Sequence, residues 1–211
     1  MRAARARADA APPWGVARHA APQQEVSGDL EIVLPHVNGV LLGAVDGLGH
    51  GADAALAAQR ALAVLRENPA DDLSELFKRC HQALADTRGA VMSLAAYGAG
   101  RGARPSLHWM GVGNVEGLLV RADAGGPRLC QSLLLRSGVV GYMMPRLAAS
   151  EVELQPGDVL VMATDGIRGD LAELVLPGDS PQRIADRILA ERMKGWDDAL
   201  VLVARLGSAP R

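Results

Sequence analysis

The sequence has little cysteine, little net charge and no long hydrophobic run. Its only cysteines, Cys80 and Cys130, are too few for a disulfide scaffold and indicate a reducing compartment. The net charge of -2 supplies no basic face, so we expect no nucleic-acid partner. No apolar run could span a bilayer, and the Ala- and Arg-rich N-terminus lacks the apolar core of a secretory signal. We therefore expect a cytoplasmic protein without membrane contact.

The hydrophobic content is sufficient for a sizeable core. Hydrophobic residues make up 49% of the 211 positions, and this length fits one domain of ordinary size. We expect a flexible N-terminal tail over residues 1–12, a single domain over 13–206 and a short C-terminal tail over 207–211.

Apolar runs separated by Gly, Pro, Asp and Asn predict short strands, and Ala- and Leu-rich stretches predict helices. The predicted strands are 14–17, 30–34, 40–45, 90–96, 106–110, 115–121, 129–135, 152–154, 159–163 and 199–205. The predicted helices are 52–67, 72–86 and one that begins at Ser180-Pro181. This order lacks the regular alternation of a doubly wound sheet. It predicts a mixed α/β (α+β) fold, with two mainly antiparallel sheets packed face to face and helices outside.

Aspartates stand at the ends of the apolar strands. Asp46 directly follows the predicted strand 40–45, and Asp165 follows the predicted strand 159–163 after one intervening residue. Asp29 directly precedes another, and the pair Asp197-Asp198 directly precedes the last. Each aspartate taken alone also fits a turn or cap, because Asp-Gly is a common turn pair. Taken together, carboxylates that converge at strand ends repel one another unless a cation lies between them, which favours Mg²⁺ or Mn²⁺.

A site with two such ions indicates phosphoester hydrolysis. The ions acidify a water molecule and neutralise charge on a phosphoryl group during in-line displacement. No His and Cys spacing typical of zinc is present in the sequence.

Four motifs resemble those of the PPM (type 2C-like, SpoIIE-like) protein phosphatases, in the family order and over nearly the whole chain. The stretch 45–51, Val-Asp-Gly-Leu-Gly-His-Gly, resembles the first metal motif, and 27–29, Ser-Gly-Asp, the acidic motif before it. The stretch 163–167 resembles the Thr-Asp-Gly motif, and 196–200 the final acidic pair. With 87–90 and 111–115 between them, these motifs look closest to the RsbX branch, small bacterial phosphatases of the stressosome.

The resemblance implies a four-layer αββα sandwich and two Mn²⁺ or Mg²⁺ ions. Asp46 would bridge the ions, the Gly47 carbonyl would be a further ligand, and Asp165 and Asp197 would hold the first ion. Asp29 would lie nearby, either behind the ligands or as a carboxylate for a third ion. Asp46, Asp165 and Asp197 are therefore the expected catalytic residues, with a water between the metals as nucleophile.

The same resemblance implies the substrate, a phosphoserine or phosphothreonine on a STAS-domain protein, and we expect a monomer. One departure concerns phosphate binding. Where the eukaryotic branch carries an arginine, this chain has residues 23–25, Gln-Gln-Glu, so we expect the metals alone to bind the phosphate. Asp198 occupies a position where other members carry Asn, and is a secondary candidate.

Other conspicuous residues have two interpretations each. His50 fits a general acid for the leaving oxygen or a structural residue that starts a helix. Asn114 fits a turn near the site. Residues 142–144, Tyr-Met-Met, fit either a contact with a protein substrate or the edge of the core. For the whole chain, the alternatives are a catalytically silent phosphatase-like binding module and a hydrolase of small phosphorylated metabolites.

Overall fold

Two antiparallel-rich sheets form the centre of the fold. The computed structural model describes residues 11–99, 105–122 and 129–207. The strands are β1 (Trp14–His19), β2 (Asp29–His36), β3 (Gly39–Gly47), β4 (Ala90–Ala99), β5 (Pro105–Val112), β6 (Glu116–Val120), β7 (Cys130–Ser132), β8 (Leu135–Arg136), β9 (Ser150–Val152), β10 (Val159–Ala163) and β11 (Ala199–Arg205). The helices are α1 (Ala52–Glu67), α2 (Leu73–Ala83) and α3 (Pro181–Arg192), with a 3₁₀ turn at Ala172–Leu174.

The strand orders are β2-β3-β4-β5-β8 in one sheet and β1-β11-β10-β6-β7 in the other. The short strand β9 also pairs with β5, and the β5–β8 pair is the one parallel contact among the described strands. We call the sheet containing β3 the first sheet and the sheet containing β10 the second sheet. The predicted pair of mainly antiparallel sheets is therefore confirmed.

Alternating side chains place three apolar cores between four layers. In β11, Leu200 and Leu202 point into the core between the sheets, where they meet Leu42 of β3, while Val201 and Val203 pack under α3. The helices α1 and α2 cover the outer face of the first sheet. Because both faces of these strands are buried, their sequences are continuous apolar runs without polar alternation.

The helix α3 begins as the sequence predicts. The side chain of Ser180 accepts a hydrogen bond from the backbone N–H of Arg183, and Pro181 occupies the first turn. The helix then packs its buried residues, Ile184 and Ile188 among them, against the second sheet.

One predicted strand is wrong. Residues 129–135 form two short strands in different sheets, because the chain crosses between the sheets at Leu133 and Leu134. The backbone N–H of Leu133 still donates to Gly117 of the second sheet, whereas Leu135 pairs with Gly111 of the first. The crossing is held by the indole of Trp109, which donates to the Leu134 carbonyl at 2.9 Å.

The second predicted helix, 72–86, is shorter than expected and ends at Ala83. Residues 1–10 and 208–211, most of the two predicted tails, lie outside the described residues. Within the described ranges, no helix combines the length and hydropathy that a membrane crossing requires.

Candidate metal centre

Segments that are distant in sequence meet at one end of the two sheets. Asp29 opens β2 and lies opposite Asp46 near the end of β3. Asp165 comes shortly after β10 and Asp197 shortly before β11, and these two strands are antiparallel neighbours. The cleft between the strand ends has a volume of about 500 Å³. It is lined by Asp29, Asp46, Leu48, Gly49, His50, Val91, Gly113, Asn114, Gly138, Val139, Asp165, Asp197 and Asp198.

Asp29 is buried in the cleft wall, and Asp46 beside it is half-buried. Burial, and then the charges of neighbouring aspartates, raise the pKa of Asp46 to about 8. Burial likewise raises the pKa of Asp29 to about 7, although a hydrogen bond from Thr164 offsets part of the rise. None of the described residues that line the cleft is a lysine or an arginine. Carboxylates in such surroundings either retain protons at neutral pH or bind a cation.

Thr164 connects the two sheets behind the cleft. Its buried hydroxyl donates to Asp29 Oδ2 at 2.6 Å and accepts from the backbone N–H of Leu200 at 2.8 Å. The first bond orients a carboxylate of the first sheet, and the second ties the hydroxyl to β11 of the second. Sequence reasoning quoted Thr164 within a motif but gave it no role. The available signal was a hydroxyl placed directly after a fully apolar strand.

Asp198 is buried and fully engaged by backbone groups. Its Oδ1 accepts from the N–H of Ala21 at 2.8 Å, and its Oδ2 accepts from the N–H of Gly28 at 2.7 Å. Asp198 thereby fastens the segment that leads into Asp29. Asp198, the secondary candidate for the site, lines the cleft, but both of its carboxylate oxygens already accept backbone hydrogen bonds.

Asp165 and Asp197 are only partly buried, and each has a polar neighbour that limits its movement. The amide of Asn114 donates to Asp165 Oδ2 at 2.9 Å, so Asn114 does more than hold a turn. Asp197 Oδ1 accepts from the backbone N–H of Asp198 at 2.9 Å. Both aspartates retain an oxygen without a hydrogen bond from the described residues.

The loop that follows Asp46 is built from close backbone contacts. A Cβ atom on Gly47 would lie 2.1 Å from the Ala54 carbonyl oxygen, so no larger residue fits between β3 and α1. Gly49 and Gly51 have φ values of 94° and 73°, in the left-handed region that favours glycine. The glycines thus allow the chain to turn sharply from Asp46 into α1.

Four of the five predicted metal ligands line the cleft. Asp29, Asp46, Asp165 and Asp197 line it, whereas Gly47 is not among the described residues that do so. His50 lines the cleft with an exposed side chain, in the turn before α1.

The donor set suits a hard divalent cation. Mg²⁺ and similar ions prefer oxygen ligands and are often held by one or two carboxylates, with water completing the shell. In the described ranges, no three His, Cys, Asp or Glu side chains already stand close enough together to hold an ion. The raised pKa values of Asp29 and Asp46 are therefore the observation that fits a cation site.

Two face-to-face sheets covered by helices, with an acidic cleft at the strand ends, are the architecture of PPM-type phosphatases. The family model described as Stage II sporulation protein E (SpoIIE) matches residues 37–207. The chain belongs to this SpoIIE family of PPM-type phosphatases. No curated protein matches it in sequence.

Several solved structures share this fold. One, described as "The bacterial stressosome: a modular system that has been adapted to control secondary messenger signaling", is 28% identical with a TM-score of 0.80. The match covers 92% of this chain and 98% of that one. RsbX in complex with magnesium is 19% identical, with a TM-score of 0.79 and coverages of 90% and 93%. The phosphatase domain of SpoIIE from Bacillus subtilis is 20% identical, with a TM-score of 0.70 and coverages of 93% and 64%.

Proposed function

We propose that this chain is a metal-dependent protein serine/threonine phosphatase. The observation that carries the proposal is the meeting of Asp29, Asp46, Asp165 and Asp197 at one cleft whose described lining contains no lysine or arginine. Carboxylates that lose contact with water and have no positive partner are costly, so such a group is retained where a cation compensates it.

The chain's own residues hold this arrangement in place. Asp46, Asp165 and Asp197 would bind two Mn²⁺ or Mg²⁺ ions, with Asp29 and the Gly47 carbonyl as further candidate ligands. When bound, the ions supply an acidified water for attack on phosphorus and neutralise charge on the phosphoryl oxygens. Thr164 orients Asp29 and Asn114 orients Asp165, which keeps carboxylate oxygens directed at the cleft.

For the substrate, we propose a phosphoserine or phosphothreonine on a STAS-domain protein of a stressosome. The stressosome structure supports this choice, because it is 28% identical and matches almost end to end. We further propose that residues 13–206 form one phosphatase domain and that the protein acts as a monomer.

The decisive experiment is hydrolysis of p-nitrophenyl phosphate with and without Mn²⁺. We expect turnover that requires Mn²⁺ and falls more than about 100-fold in Asp46→Asn, because even residues that merely support metal ligands cost 10–100-fold. Asp86→Asn is the matched control, since this exposed aspartate pairs with Arg60 and lies outside the cleft lining. Absence of metal-stimulated turnover in the wild type would refute the proposal. If calorimetry then showed no Mn²⁺ binding, the silent binding module would be favoured.

A further inference from the structure

The most exposed aromatic side chains of the described chain lie in segments that lead directly into the cleft. The sequence contains only six aromatic residues. Tyr142 is 83% exposed and Trp196 is 67% exposed, and Met143 beside Tyr142 is also exposed. Large apolar side chains that are exposed to water beside a site do not contribute to the packing of this domain. Such side chains commonly mark a surface that binds a partner.

Tyr142 and Met143 sit on a tight turn that starts at the cleft wall. The wall residue Val139 exchanges backbone hydrogen bonds with Met143, at 2.8 Å in both directions, and accepts from the Tyr142 N–H at 3.1 Å.

The turn is also held by the first sheet and by α2. Val140 pairs with Ala90 of β4. The backbone N–H of Gly141 donates to Nδ1 of His81 in α2 at 2.9 Å.

These hydrogen bonds fix the backbone of the turn, so Tyr142 and Met143 cannot readily move into the core. Met144, the next residue, behaves differently, because it is partly buried and packs against the core beneath the first sheet. The two interpretations of residues 142–144 thus apply to different residues: Met144 belongs to the core edge, whereas Tyr142 and Met143 face solvent.

Trp196 belongs to the second sheet's side of the chain, in the loop that precedes β11. It is the immediate neighbour of Asp197, which lines the cleft. The loop is anchored by the backbone N–H of Lys194, which donates to the Gly166 carbonyl at 2.8 Å. The cleft is therefore flanked by exposed apolar residues from the first sheet's loops and from the second sheet's loops.

We propose that Tyr142, Met143 and Trp196 form a docking rim for the folded phosphoprotein substrate, which contacts them with an apolar surface beside its phosphorylated residue. This inference rests on the proposed function. A folded protein whose phosphoserine enters the cleft must cover the cleft's edge, and aromatic and methionine side chains are enriched at such contacts. A small aryl phosphate enters the cleft without reaching the rim.

The test compares three substrates: p-nitrophenyl phosphate, an intact phosphorylated STAS-domain protein, and the phosphopeptide that trypsin releases from that protein. For Tyr142→Ser/Met143→Ser and for Trp196→Ser, we expect kcat/KM on the intact protein to fall about tenfold or more, mainly through KM. On p-nitrophenyl phosphate and on the phosphopeptide, we expect Tyr142→Ser/Met143→Ser to stay within about twofold of wild type, since neither substrate carries the folded surface. Trp196 adjoins Asp197, so for Trp196→Ser we expect the loss on the intact protein to exceed the loss on p-nitrophenyl phosphate by about fivefold or more.

Val37→Ser is the matched control. Val37 is 77% exposed and lies in the turn between β2 and β3. Asp29 stands at the other end of β2, roughly 25 Å away. We expect this variant to match wild type on all three substrates. Equal losses on the small and large substrates, or no loss on the intact protein, would overturn the docking rim. Failure of the proposed function is a separate result, because the wild type would then hydrolyse none of the substrates.

Discussion

At the Asp198 corner of the cleft, both carboxylate oxygens accept backbone hydrogen bonds, from Ala21 and from Gly28. At the Asp46 end, no hydrogen bond from the described residues offsets the burial that raises the pKa of this carboxyl group. Both aspartates line the same cleft. The difference shows that an aspartate in the wall of the cleft can be a structural acceptor or an uncompensated charge, and that its hydrogen bonds distinguish the two.

The same comparison separates residues that are adjacent in sequence. Asp197 and Asp198 have the same side chain, yet one Asp197 oxygen accepts no hydrogen bond from the described residues, while Asp198 fastens the segment before β2. Substitution of a residue that holds the backbone in place, such as Asp198, should therefore lower the stability of the metal-free protein most. Substitution of the uncompensated Asp46 should change this stability least or raise it.

Asp198→Ala should produce the largest change in stability. It leaves two buried backbone N–H groups without an acceptor, so we expect the free energy of unfolding to fall by about 3 kcal/mol. Urea denaturation in EDTA measures this loss without a contribution from bound metal. Asp198→Asn keeps one acceptor oxygen and should lose less, and the exposed control Asp86→Ala should change stability by less than about 0.5 kcal/mol. A loss below about 1 kcal/mol in Asp198→Ala would contradict the structural role.

Thr164→Val should have an intermediate effect. Valine keeps the shape but removes the hydroxyl, which leaves the buried N–H of Leu200 unpaired and Asp29 without its donor. We expect a loss of about 2 kcal/mol in the same denaturation experiment. Thr164→Ser retains the hydroxyl and should recover most of this loss. If the serine and valine variants were equally unstable, packing rather than hydrogen bonding would explain the role of Thr164.

Asp46→Asn should have the smallest effect on stability, and of the opposite sign. The folded pKa values of Asp29 and Asp46 are about 7 and 8, whereas the ordinary value is 3.8. The folded state therefore binds more protons than the unfolded state at pH values between the ordinary pKa and the raised ones. The metal-free wild type should therefore be most stable near pH 4, as far as these groups contribute, and lose that stability as pH rises through 8.

Replacing the ionisable group removes part of this loss. At pH 8 in EDTA, we expect Asp46→Asn to melt at least about 3 °C higher than wild type, which corresponds to roughly 1 kcal/mol for a domain of this size. The measurement is Tm against pH from 5 to 9 for both proteins, and the gap should close toward pH 5. A variant less stable than wild type at pH 8 would reverse our interpretation of Asp46.

Much of the fold follows from local sequence. The helix over 52–67 and the strands over 159–163 and 199–205 are predicted with their observed bounds, because long apolar runs and turn residues mark them clearly. The strand predicted over 129–135 is wrong, since no local pattern shows that the chain changes sheets within an apolar stretch. That crossing depends on pairing with Gly117 and Gly111, which are distant in sequence.

For the candidate site, the sequence by itself determined which aspartates stand at the ends of apolar strands, since that requires only the order of residue types along the chain. It also determined the glycines that allow the turn after Asp46. Only the tertiary structure decided which carboxylates are satisfied. Ala21 and Gly28 are 177 and 170 residues away from Asp198, and Thr164 reaches Asp29 across the two sheets. Hydrogen-bond partners and burial are set by long-range packing, so the sequence identifies the carboxylates but not the electrostatic environment of each one.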